Sequence, residues 1–195
     1  MRNPLDLKKP IGPQWLSSVM RDVTALGGLA IISLLTTVVL GFLYLQKDYR
    51  SMKLVLAATL GGMLIVVALK YGFLRERPTV VPHLMIEKTP SFPSGHSIMA
   101  AVFYLPLSAL LACIQNKFKI RIYIIAVGLF FTFLIGISRI YLGVHYPTDV
   151  LAGWSVGLAW ASLCWFVASY FANPFWNPKY IIHFIHPISN PYDWI

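Results

Sequence analysis

Long apolar runs separated by short polar stretches organise this chain. Five come near the ~20 residues a helix needs to cross bilayer hydrocarbon. They cover residues 25–45, 52–73, 98–114, 122–144 and 150–171. The third is shorter and contains Pro106, which neighbouring helices accommodate at the cost of a kink. Ahead of the first run, Trp15, Leu16, Val19, Met20 and Val23 recur at helical spacing on one face. That pattern predicts an amphipathic helix lying in the membrane interface. Residues 1–24 therefore read as a proline-punctuated arm with that helix, residues 25–171 as the bundle, and residues 172–195 as an aromatic, proline-rich tail at the opposite interface. The expected fold is all-α: a polytopic membrane helical bundle of five spans, without room for a separate soluble domain.

Composition agrees with the pattern. The 195 residues are 57% hydrophobic and 12% charged, with mean hydropathy +0.68, whereas soluble domains carry about 25% charged residues. A net charge of +9 raises the question of nucleic acid. The basic residues, however, sit at the ends of apolar runs and in short loops, which points to lipid head groups and topology. No nucleic-acid partner is expected. Cys113 and Cys164 lie inside apolar runs and read as small hydrophobes. A cleavable signal peptide is not expected, because the first apolar run begins late and is too long.

Small residues mark close helix contacts: Gly153, Gly157 and Ala161 lie on one face, as do Ala57 with Gly61 and Ala58 with Gly62. Packing inside the bundle explains them as well as dimerisation does, so no oligomer is assigned. His183 and His186 in the tail read as interfacial residues; a metal pair lacks an obvious third ligand.

Topology sorts the loops. With five spans, residues 74–97 and 145–149 share one side with the N-terminus, and residues 46–51 and 115–121 face the other. Lys47, Arg50, Lys53, Lys117, Lys119 and Arg121 cluster around the latter two loops, so those loops are expected to be cytoplasmic. Arg2, Lys8 and Lys9 conflict with this arrangement, since they would lie outside.

The outward side concentrates the chemistry. In "KYGFLRERP" Lys70 and Arg77 are seven apart, two helical turns, which predicts one shared helix face; alone, they read as snorkelling basic residues. In "SFPSGHS" Ser94, Gly95 and His96 open the third run, where a helix N-terminus offers an anion site. A plain Ser94 cap beside an incidental histidine is the alternative. In "SRIYLGVHYPTD" Arg139 interrupts an apolar run, a costly placement that suggests function. Pro147 breaks the helix after His145, and Asp149 falls in the first turn of the last run, where the dipole favours an anion. Such a carboxylate can hold a histidine in one tautomer and leave its other nitrogen free to attack. An Asp cap beside an interface histidine is the bland alternative.

Together these groups suit phosphoryl transfer, in which charge neutralisation and alignment dominate. One histidine can attack while the other protonates the leaving oxygen. No carboxylate cluster is available to hold magnesium, so the cations must be side chains, and neither metal nor cofactor is expected.

The three stretches resemble the signatures of the type 2 phosphatidic acid phosphatase family, which is related to vanadium haloperoxidases. Its patterns K-x6-R-P, P-S-G-H and S-R-x5-H-x3-D are matched at every fixed position, in order. The resemblance covers roughly residues 60–165. It implies that His145 is the nucleophile forming a phosphohistidine, Asp149 its orienting partner, and His96 the general acid. It further implies that Lys70, Arg77 and Arg139 clamp the phosphate with the Ser94 hydroxyl and the Gly95 amide, while Pro93 and Ser138 support the geometry. Membrane members of the family usually have six spans; the expectation here is that Met1 is an internal or shortened start, or that the arm inserts N-out unaided.

The resulting expectation is a metal-independent lipid phosphatase of the bacterial inner membrane with its site facing the periplasm or exterior. Its substrate is a membrane lipid phosphate or pyrophosphate. The resemblance implies undecaprenyl pyrophosphate, phosphatidylglycerophosphate, phosphatidic acid or lipid A phosphate, with the first two favoured. A lipid phosphotransferase would use the same residues. A non-catalytic lipid-phosphate binder or transporter would need only the cations and not His96, His145 and Asp149, and haloperoxidase chemistry belongs to soluble relatives.

Overall fold

Each apolar run becomes a helix in the computed structural model, which describes residues 2, 3, 6–10, 12–78, 84, 85 and 89–170. The helices are α1 (Gln14–Ala25), α2 (Leu29–Leu45), α3 (Tyr49–Phe73), α4 (Gly95–Cys113), α5 (Phe118–Tyr141) and α6 (Pro147–Tyr170). The N-terminal arm adds a small antiparallel pairing of Arg2–Asn3 with Asp6–Pro10. The tail expected at the far interface, with His183 and His186, lies outside the described residues.

Local chemistry explains the helix ends. The Asp48 side chain accepts a hydrogen bond from the Ser51 amide at 3.0 Å and caps α3. Leu74 takes a left-handed conformation (φ 46, ψ 30) that ends the helix. Pro147 opens α6, where its missing amide proton costs nothing. Pro106 stays inside a continuous α4, buried among its neighbours.

Four helices, α3 to α6, are individually long and apolar enough to cross a bilayer. The first expected span is different. The chain breaks at residues 26–28, and α1 and α2 meet at 46°, forming a fifth span only if counted together. Gly28 is extended there, and the Tyr104 hydroxyl of α4 donates to the Leu26 carbonyl at 3.0 Å. Helix α1 is amphipathic as expected, but Leu16 and Met20 pack against Tyr141, Leu142 and Val144 of the bundle. Trp15 and Val19 turn outward.

Helix α4 is the central element, with α3, α5 and α6 packed around it. Its Ile98, Met99, Val102 and Phe103 form the main core with Ile32 of α2. Large apolar side chains such as Phe42, Leu64, Phe130 and Phe166 point outward, the arrangement expected where lipid is the solvent. Close packing uses the small residues. A Cβ on Gly157 would lie 2.7 Å from Ala101 Cβ and 2.9 Å from the Ile98 carbonyl, and one on Gly153 would lie 2.8 Å from the Ser94 carbonyl. Gly61 lies against the Trp160 ring and Gly62 against Val102. These small faces serve contacts within the bundle. Cys164 is a buried hydrophobe as expected, whereas Cys113, at the end of α4, is exposed.

Candidate active site

The site forms where α3, α4, α5 and the α5–α6 turn end on one side of the bundle. Lys70 lies in the last turn of α3 and is buried. Its Nζ donates to Thr89 Oγ1 at 3.0 Å and to the Pro90 carbonyl at 2.6 Å. Arg77 corrects the helical-face expectation. Helix α3 ends at Phe73, so Arg77 lies beyond it in an irregular segment, next to a proline that disfavours helix. Convergence is achieved instead through Thr89: Arg77 Nε donates to its carbonyl at 2.8 Å and Nη2 to its Oγ1 at 3.3 Å. Arg77 Nη1 also donates to the Val144 carbonyl at 2.7 Å and lies 3.4 Å from His145 Nε2.

At the start of α4, Gly95 and His96 line a cleft. Ser94 does not. It is fully buried, and its Oγ accepts from the Ser97 amide at 3.4 Å and the Ser97 hydroxyl at 2.9 Å. Of the two readings open for Ser94, the structure displays the helix cap. The α1–α2 break passes close to His96, whose carbonyl would lie 3.2 Å from a Cβ on Gly27.

Arg139 in the last turn of α5 is fully buried yet reaches the cleft wall. Its Nη1 donates to Thr24 Oγ1 of α1 at 3.1 Å. After α5, Gly143 at φ 76 allows the turn that presents His145, a backbone angle that side chains beyond glycine rarely adopt. His145 Nδ1 lies 3.4 Å from Asp149 Oδ2, with both side chains buried. Asp149 Oδ2 also accepts from Ser91 Oγ at 2.5 Å and from the Tyr146 amide at 3.0 Å. Burial lowers the His145 pKa to about 4; the Asp149 hydrogen bond opposes that shift, and Arg139, Arg77 and Lys70 add to it. At neutral pH the imidazole is therefore uncharged. With its Nδ1 proton directed at Asp149, the Nε2 lone pair is the nucleophilic one.

The cleft measures about 210 Å³, and Lys70, Arg77, Gly95, His96, Arg139 and His145 line it. Leu29, Met63, Val66, Val67 and Met99 supply apolar lining. Six of the eight residues singled out in the sequence thus border one cavity, while Asp149 stands behind His145 and Ser94 is a buried cap. Sequence reasoning missed Thr24, Arg75, Thr89 and Ser91. Arg75 and Ser91 lie inside the quoted stretches and Thr89 just before one of them, while Thr24 is distant from all three; nothing in their spacing separates them from ordinary loop or helix-end residues.

Residues 50–172 match the family model of the PAP2 superfamily. The chain is 38% identical over 148 residues to phosphatidylglycerophosphatase B of Bacillus subtilis, covering 74% of this chain and 71% of that one. It is 33% identical over 98 residues to an undecaprenyl-diphosphatase of Sulfolobus acidocaldarius, covering 48% of this chain and 43% of that relative. The crystal structure of a transmembrane PAP2 type phosphatidylglycerolphosphate phosphatase from Bacillus subtilis superimposes with a TM-score of 0.76 at 30% identity, covering 84% of this chain and 81% of that one. The chain is an integral membrane phosphatase and belongs to the PAP2 superfamily.

Proposed function

We propose that this membrane phosphatase hydrolyses a lipid phosphate or lipid pyrophosphate, with undecaprenyl pyrophosphate and phosphatidylglycerophosphate the favoured substrates, through a phosphohistidine on His145. The observation that carries the reading is a single cleft lined by two histidines and three cations together with apolar side chains. Such a cavity can hold a phosphate while the attached lipid stays in an apolar environment. The names of the two relatives support the two favoured substrates.

In the first step His145 Nε2 attacks phosphorus, the bond from phosphorus to the leaving oxygen breaks, and His96 as imidazolium donates its proton to that oxygen. Water then gives a proton to His96 and attacks the phosphohistidine. The P–N bond breaks, its electron pair returns to Nε2, and phosphate leaves. Lys70, Arg77 and Arg139 neutralise the equatorial oxygens, and this accounts for most of the barrier lowering in phosphoryl transfer. Asp149 holds the imidazole tautomer. The basic ends of α3 and α5, with Lys47, Arg50, Lys53, Lys117, Lys119 and Arg121, lie away from the cleft. That asymmetry supports a cytoplasmic position for those ends and an outward-facing site.

The test is phosphate release from a panel of lipid phosphates by the full chain in detergent, comparing wild type with His145→Ala. Activity is expected to survive EDTA, to be blocked by vanadate, which mimics five-coordinate phosphorus, and to disappear in the folded variant. Near-normal turnover in His145→Ala overturns the assigned nucleophile.

A further inference from the structure

Arg75 occupies an unspecified position of the K-x6-R-P pattern, two residues before Arg77, and does not border the cleft. Its guanidinium is nevertheless tied to the segment that carries the nucleophile at three points. Nη1 lies 2.8 Å from Asp149 Oδ1 and 3.1 Å from Thr148 Oγ1, and Cζ sits 4.3 Å from the centroid of the Tyr146 ring. The backbone joins in as well, since the Arg75 carbonyl accepts from the Ser91 amide at 2.7 Å. A closed ring results. Arg75 holds Ser91 through its main chain, Ser91 Oγ donates to Asp149 Oδ2, and Asp149 Oδ1 accepts from Arg75.

Asp149 is fully buried, whereas the Arg75 side chain is 41% exposed. Among the described residues Asp149 has two ion-pair partners, Arg75 and His145. His145 is uncharged at neutral pH, so among the described residues Arg75 is the cation in direct contact with the carboxylate there. A buried charge without a compensating partner is costly, and the carboxylate would otherwise recover that cost by drawing a proton onto the His145–Asp149 pair.

We infer that Arg75 is a positioning residue for the nucleophile, acting through Asp149: it neutralises the carboxylate, so that the carboxylate orients His145 without pulling a proton onto the pair. The inference rests on the proposed role of His145 as nucleophile. The other charged groups facing His145 are Lys70 from α3, Arg77 from the segment beyond it, His96 from α4 and Arg139 from α5. All of these stay in place when Arg75 is changed. Arg75 differs from the three cleft cations in its target, which is the carboxylate behind the imidazole and not the phosphate.

The test uses the full chain with ¹⁵N-labelled histidine in detergent micelles, His145 being identified by its loss in His145→Gln. In Arg75→Gln the pair is expected to take up its proton about one pH unit higher than in wild type, the tenfold change that one unit represents. Arg75→Lys is expected to restore most of the wild-type midpoint. In phosphate-release assays at pH 5, where a midpoint raised from about 4 to about 5 leaves only about half of the pair deprotonated, Arg75→Gln is expected to lower kcat about twofold with KM little changed, because an interaction that touches no substrate leaves binding intact. An unshifted midpoint in folded Arg75→Gln overturns the inference, and so does a loss confined to KM. Should Arg75→Gln fail to fold, Thr148→Val removes one anchor of the guanidinium and keeps its charge. A smaller shift in the same direction supports the inference there, and no shift overturns it. The histidine titration needs no turnover. A wild-type chain inactive on every lipid phosphate therefore sinks the functional reading, while the midpoint separately decides the role of Arg75.

Discussion

His145 Nδ1 and Asp149 Oδ2 lie 3.4 Å apart across the start of α6, and Asp149 faces the imidazole nitrogen that points away from the cleft. The two residues are close in sequence, but Pro147 stands between them and His145 lies in the turn before the helix. The carboxylate thus holds the ring from behind and leaves Nε2 toward Arg77 and the cavity.

Asp149→Asn keeps the shape and removes the acceptor charge. The amide can donate to Nδ1 and favour the wrong tautomer, and Arg75 and Ser91 lose their charged partner. The expected outcome is a fall in kcat of about 10³–10⁴-fold, the scale seen when a histidine loses its orienting carboxylate, with KM changed far less. Steady-state phosphate release checks it. A loss under tenfold would argue that Asp149 is only a helix cap.

Stability is expected to depend on pH through His145. Its folded pKa of about 4 lies below the ordinary 6.5, so the folded state binds fewer protons than the unfolded state in that interval. Stability from this group is therefore fully present above pH 6.5 and is lost as pH falls toward and through 4. The scale reaches about 3 kcal/mol. Melting temperatures of wild type and His145→Gln in detergent across pH 4–7.5 check this, and the wild-type curve should fall more steeply on the acid side.

Arg139 is fully buried and its fork reaches both Thr24 and the cleft. Arg139→Lys keeps the charge but loses the planar, multi-donor geometry. The expected loss in kcat/KM is about 100-fold, comparable to removing one preorganised donor. Thr24→Val, at a residue that does not itself line the cleft, is expected to lose a smaller factor, about threefold to tenfold, by loosening Arg139. A larger loss from Thr24→Val than from Arg139→Lys would invert this ranking and count against it.

Packing gives a prediction independent of chemistry. Gly157→Ala would set a Cβ 2.7 Å from Ala101 Cβ, and overpacking of this kind costs about 1–3 kcal/mol. Gly41→Ala on α2 meets nothing within 4 Å and should be neutral or slightly stabilising, since alanine is the better helix former. Thermal unfolding of both variants in detergent checks the contrast.

Much of the architecture was legible because a bilayer demands long apolar helices. Runs such as 52–73 and 150–171 correspond closely to α3 and α6. The motif residues were legible as well, because charged and imidazole groups stand out in apolar surroundings. The boundary between α1 and α2 was legible to within a few residues, because the amphipathic pattern gives way there to a uniformly apolar run, but the 46° bend was not, since it depends on what packs against it. Nor could spacing reveal how Lys70 and Arg77 meet: they share Thr89, a residue on a different segment.

The sequence by itself therefore determined the solvent this chain folds in, the number of its long apolar segments, and the inventory of cations, histidines and acid. Only the tertiary structure decided that Ser94 caps a helix, that Thr24 holds Arg139, and that Arg75 balances Asp149. The reason is physical. Periodicity and residue type act within a helical turn or two, whereas those three outcomes depend on where separate segments end when small residues let the helices close on one another.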